Sequence, residues 1–308
     1  MNFVTTRGGR PGELFMERII IPNKIPNILA KRVVLFVNAR DESHIQEWAI
    51  HHILIGFDAV IIFDHKSSHP LKRVFSQIKE SRIQVVDVSH LENPIKIPLM
   101  NEAVKIARQM NADWFIYLDA DEFLVLHPKF RGIKHLLNVY NYADSLAINW
   151  LMFGSSNLVR DPVPLPEEGG GVLANYTKSE LLLTDHVKTF VRPNKVINAT
   201  NPHYYHMLHG NRCFGTNHLP LKSDDKSRHS FSIEYWKAPA YIAHYVYQSE
   251  ESFRKRKIAL PRDDTGGYRH KANIDTKFIH DLYNQVVNTQ LKERYVERNR
   301  SFLLEKMK

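Results

Sequence analysis

The stretch DWFIYLDADEF, residues 113–123, decides the fold. Its apolar run at 114–118 is typical of a short buried strand. Two carboxylates, Asp119 and Asp121, follow this run directly. Because ligands bind at the carboxyl ends of strands in open α/β sheets, we expect both carboxylates at a ligand site. Acidic oxygens there suit a hard divalent cation, Mn²⁺ or Mg²⁺, which in turn can bind a diphosphate.

Strands and helices alternate regularly before this stretch. The candidate strands are 33–37, 59–63 and 83–88, and the candidate helices are 45–56, 71–79 and 98–111. Four strands separated by three helices predict an α/β fold, with a Rossmann-like, mostly parallel central sheet flanked by helices. Because no G-x-G-x-x-G or P-loop pattern follows the first strand, a dinucleotide dehydrogenase and a P-loop NTPase are disfavoured.

The second half of the chain is less regular. Apolar runs predict further strands at 146–153, 188–192 and 241–247. Residues 162–171 contain three prolines and three glycines, which predicts a loop. Apolar residues at helical spacing predict one helix over 276–307.

Composition and charge limit the possible partners. The chain has 308 residues, 43% of them hydrophobic, and a formal net charge of +9. Basic residues are spread along the chain without a dense block, so we expect no nucleic-acid partner. An anionic small molecule, or peripheral contact with a membrane surface, would suit the charge.

The sequence also predicts a compartment. No apolar run reaches the ~20 residues of a membrane span, and residues 1–11 show no apolar signal region. A single cysteine, Cys213, excludes an internal disulfide. We therefore expect a cytoplasmic protein, with peripheral membrane association left open.

Three side chains are candidate metal ligands. Asp119 and Asp121 come first because of their place after a strand. His244 lies in a predicted strand and is a candidate third ligand, or alternatively a histidine of the core. A group of four histidines, whose spacing resembles no closed zinc site and which the lone Cys213 does not complete, consists of His203, His206, His209 and His218.

Other polar residues are candidates for binding a nucleotide. Asp64 ends the second predicted strand, where it can accept a hydrogen bond from a base or ribose hydroxyl, or form an Asx-turn. Arg40 and Glu42 follow the first strand, where a nucleotide would also lie, or they form a charged helix start. The candidates for phosphate contacts, unless they are merely solvated, are Lys188, Arg192 and Arg256.

An acceptor would be bound by the second half of the chain. Trp150 and Phe153 are aromatic residues that can stack on an acceptor sugar, and Ser155 follows them. The alternative is that the aromatic rings pack in the core.

Taken in order, these motifs resemble a GT-A glycosyltransferase of the family-2-like and family-92-like group, which carries a D-x-D-E-F motif. The resemblance spans roughly residues 33–257. The matching segments include VNARDE (37–42), FD (63–64) with SS (67–68), DADEF (119–123), WLMFGS (150–155), KTFVRP (188–193), and HY (244–245) with SEE (249–251) and Phe253.

The resemblance implies a hexosyl- or pentosyltransferase with a nucleotide-sugar donor, a UDP-sugar being favoured. It implies Mn²⁺ or Mg²⁺ on Asp119 and Asp121, with His244 as a late metal ligand. Glu42 and Asp64 match positions that face the nucleotide. The reaction would be an inverting transfer to a hydroxyl of a glycan or other glycoconjugate acceptor.

An inverting transfer needs a general base that deprotonates the acceptor hydroxyl. Where the family pattern places an acid before an aromatic-Thr pair, this chain has Ala174 and Asn175. The candidates for the base are Asp161, Glu167, Glu168 and Asp185.

The resemblance also implies how the chain is divided. Residues 1–30 would be an N-terminal extension, 31–257 the GT-A domain and 258–308 a helical C-terminal tail. Within the domain, 31–123 would bind the nucleotide-sugar and 124–257 the acceptor.

Two other functions fit parts of the pattern. A nucleotidyltransferase acting on a sugar phosphate shares the sheet and the acidic metal site, but it usually has a Gly-rich loop after the first strand. Residues 37–43 contain no glycine. A non-catalytic basic binding module, with structural carboxylates, is the third interpretation.

Overall fold

One large mixed sheet forms the framework of the fold in the computed structural model, which describes residues 30, 32–208, 212–221 and 233–308. The predicted extension 1–30 lies outside the described residues, apart from residue 30. The strands are β1 (Val33–Ala39), β2 (Ala59–Asp64), β3 (Ile83–Asp87), β4 (Trp114–Tyr117), β5 (Glu122–Leu126), β6 (Ser145–Met152), β7 (Lys178–Ser179), β8 (Val187–Val191), β9 (Val196–Ala199), β10 (Tyr205–Met207), β11 (Cys213–Gly215), β12 (Ala240–His244) and β13 (Val286–Val287). The α-helices are α1 (Ile45–Leu54), α2 (Leu71–Phe75), α3 (Lys96–Gln109), α4 (Ile133–Val139), α5 (Val172–Asn175), α6 (Glu250–Ser252) and α7 (Glu297–Lys306).

The direction of the strands brings several strand termini to one edge of this sheet. The strand order is β3-β2-β1-β4-β8-β6-β12-β5, and β11 pairs with β6. Strands β1 to β4 are parallel, whereas β8 runs antiparallel to both β4 and β6. Strand β12 is parallel to β6, and β5 is antiparallel to β12. The ends of β1, β4, β6 and β12 therefore meet the starts of β8 and β5 at the same edge.

Burial on both faces explains why the first strands are continuously apolar. All residues of β1 are buried. Val33, Leu35 and Val37 pack with α1 on one face, and Val34 and Phe36 pack with α3 on the other. Parallel strands covered by helices on both sides are apolar at every position rather than at alternate positions. The predicted α/β class, with a mostly parallel sheet flanked by helices, is confirmed.

Two predicted elements end earlier than expected. The helix predicted over 71–79 ends at Phe75, and the backbone N–H of Lys79 donates to the carbonyl of Lys306 instead. The strand predicted over 241–247 ends at His244, because the N–H of Tyr245 donates to the carbonyl of Asp121 at 2.9 Å. This turn brings the end of β12 against the acidic residues after β4.

The predicted continuous helix over 276–307 is wrong in its first part. A single 3₁₀ turn at Lys277–His280 is followed by β13, which pairs antiparallel with β7. Backbone hydrogen bonds to β7 replace helical ones there, and the tail is helical only over residues 290–306. None of the helices in the described part of the chain has the length and apolar character needed to cross a membrane.

The conformation of the loop predicted at 162–171 depends on its last glycine, Gly171. Gly171 has φ +97°, and a Cβ built there would lie 2.8 Å from both carboxyl oxygens of Glu47. The Glu47 carboxylate accepts the backbone N–H groups of Val172 at 2.5 Å and Leu173 at 3.2 Å. The loop is thus fixed against α1 at the start of α5.

We predict that Gly171→Ala lowers the free energy of unfolding by about 1–3 kcal/mol, because non-glycine residues are strained in this region of backbone space. The measurement is urea unfolding followed by circular dichroism. Gly267→Ala is the control, since its Cβ would meet only the Thr265 hydroxyl, at 3.9 Å. Equal stability of the two variants would contradict the prediction.

Candidate active site

A pocket of about 250 Å³ opens at the edge where the strand termini meet. Its walls include Asn38 after the middle of β1, Asp119 and Asp121 after β4, Lys188 at the start of β8 and His244 at the end of β12. Further parts of the wall are formed by Arg256, Lys257, residues 260–264 and the first residue of α3. Because β8 is antiparallel, it is the beginning of this strand that faces the pocket.

Asp119 is held by two lysines. The Nζ of Lys188 donates to Oδ2 at 3.0 Å, and the Nζ of Lys96 contacts Oδ1. Both lysines are buried, with Lys188 only 1% exposed. Burial alone would raise the pKa of Asp119, but the ammonium groups of Lys188 and Lys96 outweigh it and hold the pKa well below its usual value.

Asp121 lies between a lysine and a histidine. The Nζ of Lys257 donates to its Oδ2 at 3.0 Å, and the Nε2 of His244 lies 3.6 Å from its Oδ1. Burial opposes ionisation here as well, yet Lys257 and His244 keep the pKa of Asp121 well below its usual value. Both carboxylates of the D-x-D motif are therefore ionised around neutral pH.

Two further glutamates support this arrangement. Glu122 is fully buried, and its Oε2 accepts the backbone N–H of Asp119 at 2.9 Å, which fixes the turn after β4. Burial raises the pKa of Glu122 to about 7. Glu42 forms an ion pair with Arg256, and burial raises its pKa to about 7 although Arg256 opposes the shift.

Asp121 and His244 fit a divalent cation, since a carboxylate and an imidazole are suitable ligands and the two already face each other. The oxygens of Asp119 contact Lys96 and Lys188. In the described ranges, no group of three or more His, Cys, Asp and Glu side chains is gathered closely enough to form a metal site. The predicted set of three ligands remains a prediction, in which Asp121 and His244 are the adjacent pair.

Eight of the residues selected from the sequence line this one pocket. They come from segments up to about 200 residues apart in the chain. These residues are Arg40, Glu42, Asp119, Asp121, Trp150, Lys188, His244 and Arg256.

Two residues that we predicted to contact the nucleotide do not line the pocket. Asp64 is buried, and its Oδ2 accepts the backbone N–H of Leu71 at 2.7 Å, so it closes the turn before α2. This placement favours the alternative turn role. Arg192 donates to the carbonyls of Ala143 and Asn141 and stacks over Trp114, because its strand β8 ends at the opposite edge of the sheet.

Two predicted acceptor contacts are also corrected. Phe153 is fully buried and packs against Tyr245, with ring centroids 4.7 Å apart. Ser155 is fully buried and hydrogen-bonds to His280 at 2.7 Å. Both side chains belong to the interior beyond the end of β6, whereas half-buried Trp150 lines the pocket.

None of the four candidates for the base lines the pocket. Asp161 accepts a hydrogen bond from the Ser249 hydroxyl, and Asp185 lies 2.9 Å from His186. Glu167 and Glu168 are exposed on the loop that packs against α1. The loop that carries Glu167 and Glu168 is held at Glu47, and neither glutamate lines the pocket.

The sequence reasoning missed several pocket residues. Asn38 and Lys96 are polar residues whose role depends on contacts across the sheet edge, and no local pattern marks them. Asp263 and Asp264 lie beyond residue 257, where the predicted domain ends, yet both line the pocket. One sequence pattern could have indicated Asp263 and Asp264, namely two adjacent acids between Pro261 and a Gly-Gly turn.

Comparison with known proteins adds one family match. The model of glycosyltransferase family 92 matches residues 34–282, most of the chain and beyond the predicted domain end. No curated protein matches the chain.

Three solved structures resemble the chain weakly. S. aureus TarS, residues 1–349 in complex with UDP, is 15% identical, with a TM-score of 0.33 over 53% of this chain and 47% of that chain. GalNAc-T7 with UDP, GalNAc and Mn²⁺ is 9% identical, with a TM-score of 0.37 over 73% and 45%. CMP:2-keto-3-deoxy-manno-octonic acid synthetase complexed with CTP is 15% identical, with a TM-score of 0.25 over 41% and 54%. The chain spans about half the length of these structures, and TM-scores this low support no argument about function.

The family match covers the D-x-D-E-F motif, the pocket residues at the end of β1, the start of β8 and the end of β12, and the segment 260–264. It confirms the resemblance drawn from the motifs. The chain therefore belongs to glycosyltransferase family 92.

Proposed function

We propose that the protein transfers a sugar from a nucleoside-diphosphate-sugar, favouring a UDP-sugar, to a hydroxyl of a glycan or other glycoconjugate. The observation that carries this proposal is the pocket itself, where the D-x-D carboxylates are interleaved with buried cationic side chains. Family membership favours sugar transfer over a nucleotidyltransferase or a non-catalytic binding module.

The cationic side chains suit a diphosphate. Lys96, Lys257 and Arg256 line the pocket beside the two acids. Preorganised positive groups stabilise negative charge as it develops on a leaving group, and they act most strongly where water is excluded. Low exposure of Lys96 makes its ammonium group more effective than one on the surface.

Of the three ligands predicted from the sequence, Asp119, Asp121 and His244, the adjacent pair Asp121 and His244 would hold Mn²⁺ or Mg²⁺. When bound, such a cation supplies additional neutralisation of the diphosphate. The protein's own part is to fix the carboxylate and imidazole: Lys257 holds Asp121, and the turn at Tyr245 holds the end of β12.

The pocket wall that contains Trp150 of β6 suits the sugar or its acceptor. Trp150 lies among the rings of His186, His203 and His244, with centroids 4.2–5.4 Å away. Its indole Nε1 has no hydrogen-bond partner among the described residues. An aromatic ring at the pocket wall matches the apolar face of a sugar ring.

Direct displacement with inversion requires a base inside the pocket. The four candidates from the sequence lie outside it, so they form no part of this proposal. The other carboxylates that line the pocket are Glu42, Asp263 and Asp264.

Asp121→Asn is expected to lower transfer by at least about 100-fold, because it removes a charge that organises the cationic groups around the diphosphate. Calorimetry of UDP with and without Mn²⁺ should show that the metal-dependent part of binding is lost. Asp185→Asn, a matched change outside the pocket, should leave both measurements near wild type. Full transfer by folded Asp121→Asn would disprove the proposed function.

Trp150→Ala is expected to raise the KM for the acceptor and to leave UDP affinity unchanged, since Trp150 lies on the wall away from β1. UDP release from a UDP-sugar, with and without acceptor glycans, separates the two effects. Trp236→Ala, which alters a tryptophan that is 41% exposed elsewhere, serves as the control. An unchanged acceptor KM in Trp150→Ala would exclude the acceptor role.

A further inference from the structure

The segment Leu260–Asp264 forms one wall of the pocket, although it belongs to the predicted C-terminal tail, 258–308. It is anchored to the start of α3, where the backbone N–H groups of Ile95 and Lys96 donate to the carbonyl of Asp263 at 2.9 and 3.0 Å. The following residues turn back, with the N–H of Gly266 donating to the carbonyl of Arg262 at 2.9 Å. The backbone of Asp263 is therefore held firmly at the wall.

The Asp263 side chain is also held in place. The Asn38 amide donates to its Oδ2 at 2.5 Å. The carbonyl oxygen of the same amide accepts from the Nζ of Lys96 at 3.0 Å and from the hydroxyl of Tyr117 at 3.1 Å. Since Lys96 also contacts Asp119, a chain of hydrogen bonds connects Asp263 with the D-x-D motif across the ends of β1 and β4.

Strand order determines which part of a nucleotide-sugar would meet Asp263. Along the pocket edge the order is β1-β4-β8-β6, so Asp263 at β1 and Trp150 at β6 are on opposite sides of Asp119 and Lys188. With strands about 4.8 Å apart, β1 and β6 are separated by roughly 14 Å. If the diphosphate lies at β4 and β8 and the sugar near Trp150, the nucleoside extends towards β1.

A carboxylate at this place favours one part of the nucleoside. It repels phosphate, but it accepts strong hydrogen bonds from hydroxyl groups. Asp263 is half-buried, and its Oδ1 makes no hydrogen bond with any residue the structure describes. An acid at the end of a neighbouring strand binds ribose hydroxyls in dinucleotide-binding folds as well.

We infer that Asp263 is a specificity-determining residue that accepts a hydrogen bond from a ribose hydroxyl of the donor nucleotide. The inference rests on the proposed function and adds to it the selection of ribonucleotides by a residue of the tail. Asn38 is a positioning residue, because it orients both Asp263 and Lys96.

The test compares the binding of UDP and 2′,3′-dideoxyuridine diphosphate, with Mn²⁺ present, by calorimetry. Wild-type protein should bind UDP about 10- to 100-fold more tightly, the effect of one hydrogen bond to a charged group. Asp263→Ala should lose this preference by weakening UDP binding alone. Asp281→Ala, which removes an exposed carboxylate outside the pocket, should keep it.

Asp263→Asn provides a second variant that retains the shape of the side chain, and it should reduce the preference as well. Equal weakening of both nucleotides in the Asp263 variants would overturn the inference, because Asp263 would then only support Lys96. Equal affinity of the wild type for both nucleotides would also overturn it. Absence of UDP binding by the wild type would instead overturn the proposed function, and the inference with it.

Discussion

The contact of Asp119 with two buried lysines is the interaction on which the pocket depends. Removing the Asp119 carboxylate would take away the nearest anionic partner of two buried ammonium groups, and a buried charge that loses its partner destabilises a protein. Lys96 begins α3 and Lys188 begins β8, so both elements must be in place before the carboxylate is neutralised. Glu122 fixes the same turn through the backbone N–H of Asp119. The ion pairs of Asp119 thereby connect the end of β4 with α3 and β8.

Most strands of the central sheet could be predicted from the sequence, because their apolar residues are also the buried ones. Strands β1, β2 and β4 are buried on both faces, and such strands are apolar at every position. Asp119 and Asp121 could be assigned to the ligand site simply because they follow the end of β4. The tail was harder, since pairing of β13 with β7 overrides a helical pattern of apolar residues.

The rest of the site depends on contacts between distant segments, which one sequence does not display. Phe153 was selected for its neighbours in the chain, but the end of β6 turns it into the core. Candidates for the base were sought near the aromatic-Thr pair, while the loop that carries Glu167 folds against α1. Asp263 was missed because its partner Asn38 is 225 residues away.

That separation has a consequence for how the protein is made. Ribosomes add roughly 5–20 residues per second, and amino-terminal segments generally fold first. Strands β1 to β4 can pair while the later chain is still being synthesised, but the wall containing Asp263 closes against Asn38 only after a further 225 residues have been added. A nucleotide therefore cannot stabilise the early folding intermediates through this contact. Nascent chains must rely on the buried apolar framework until the segment with Asp263 has been made.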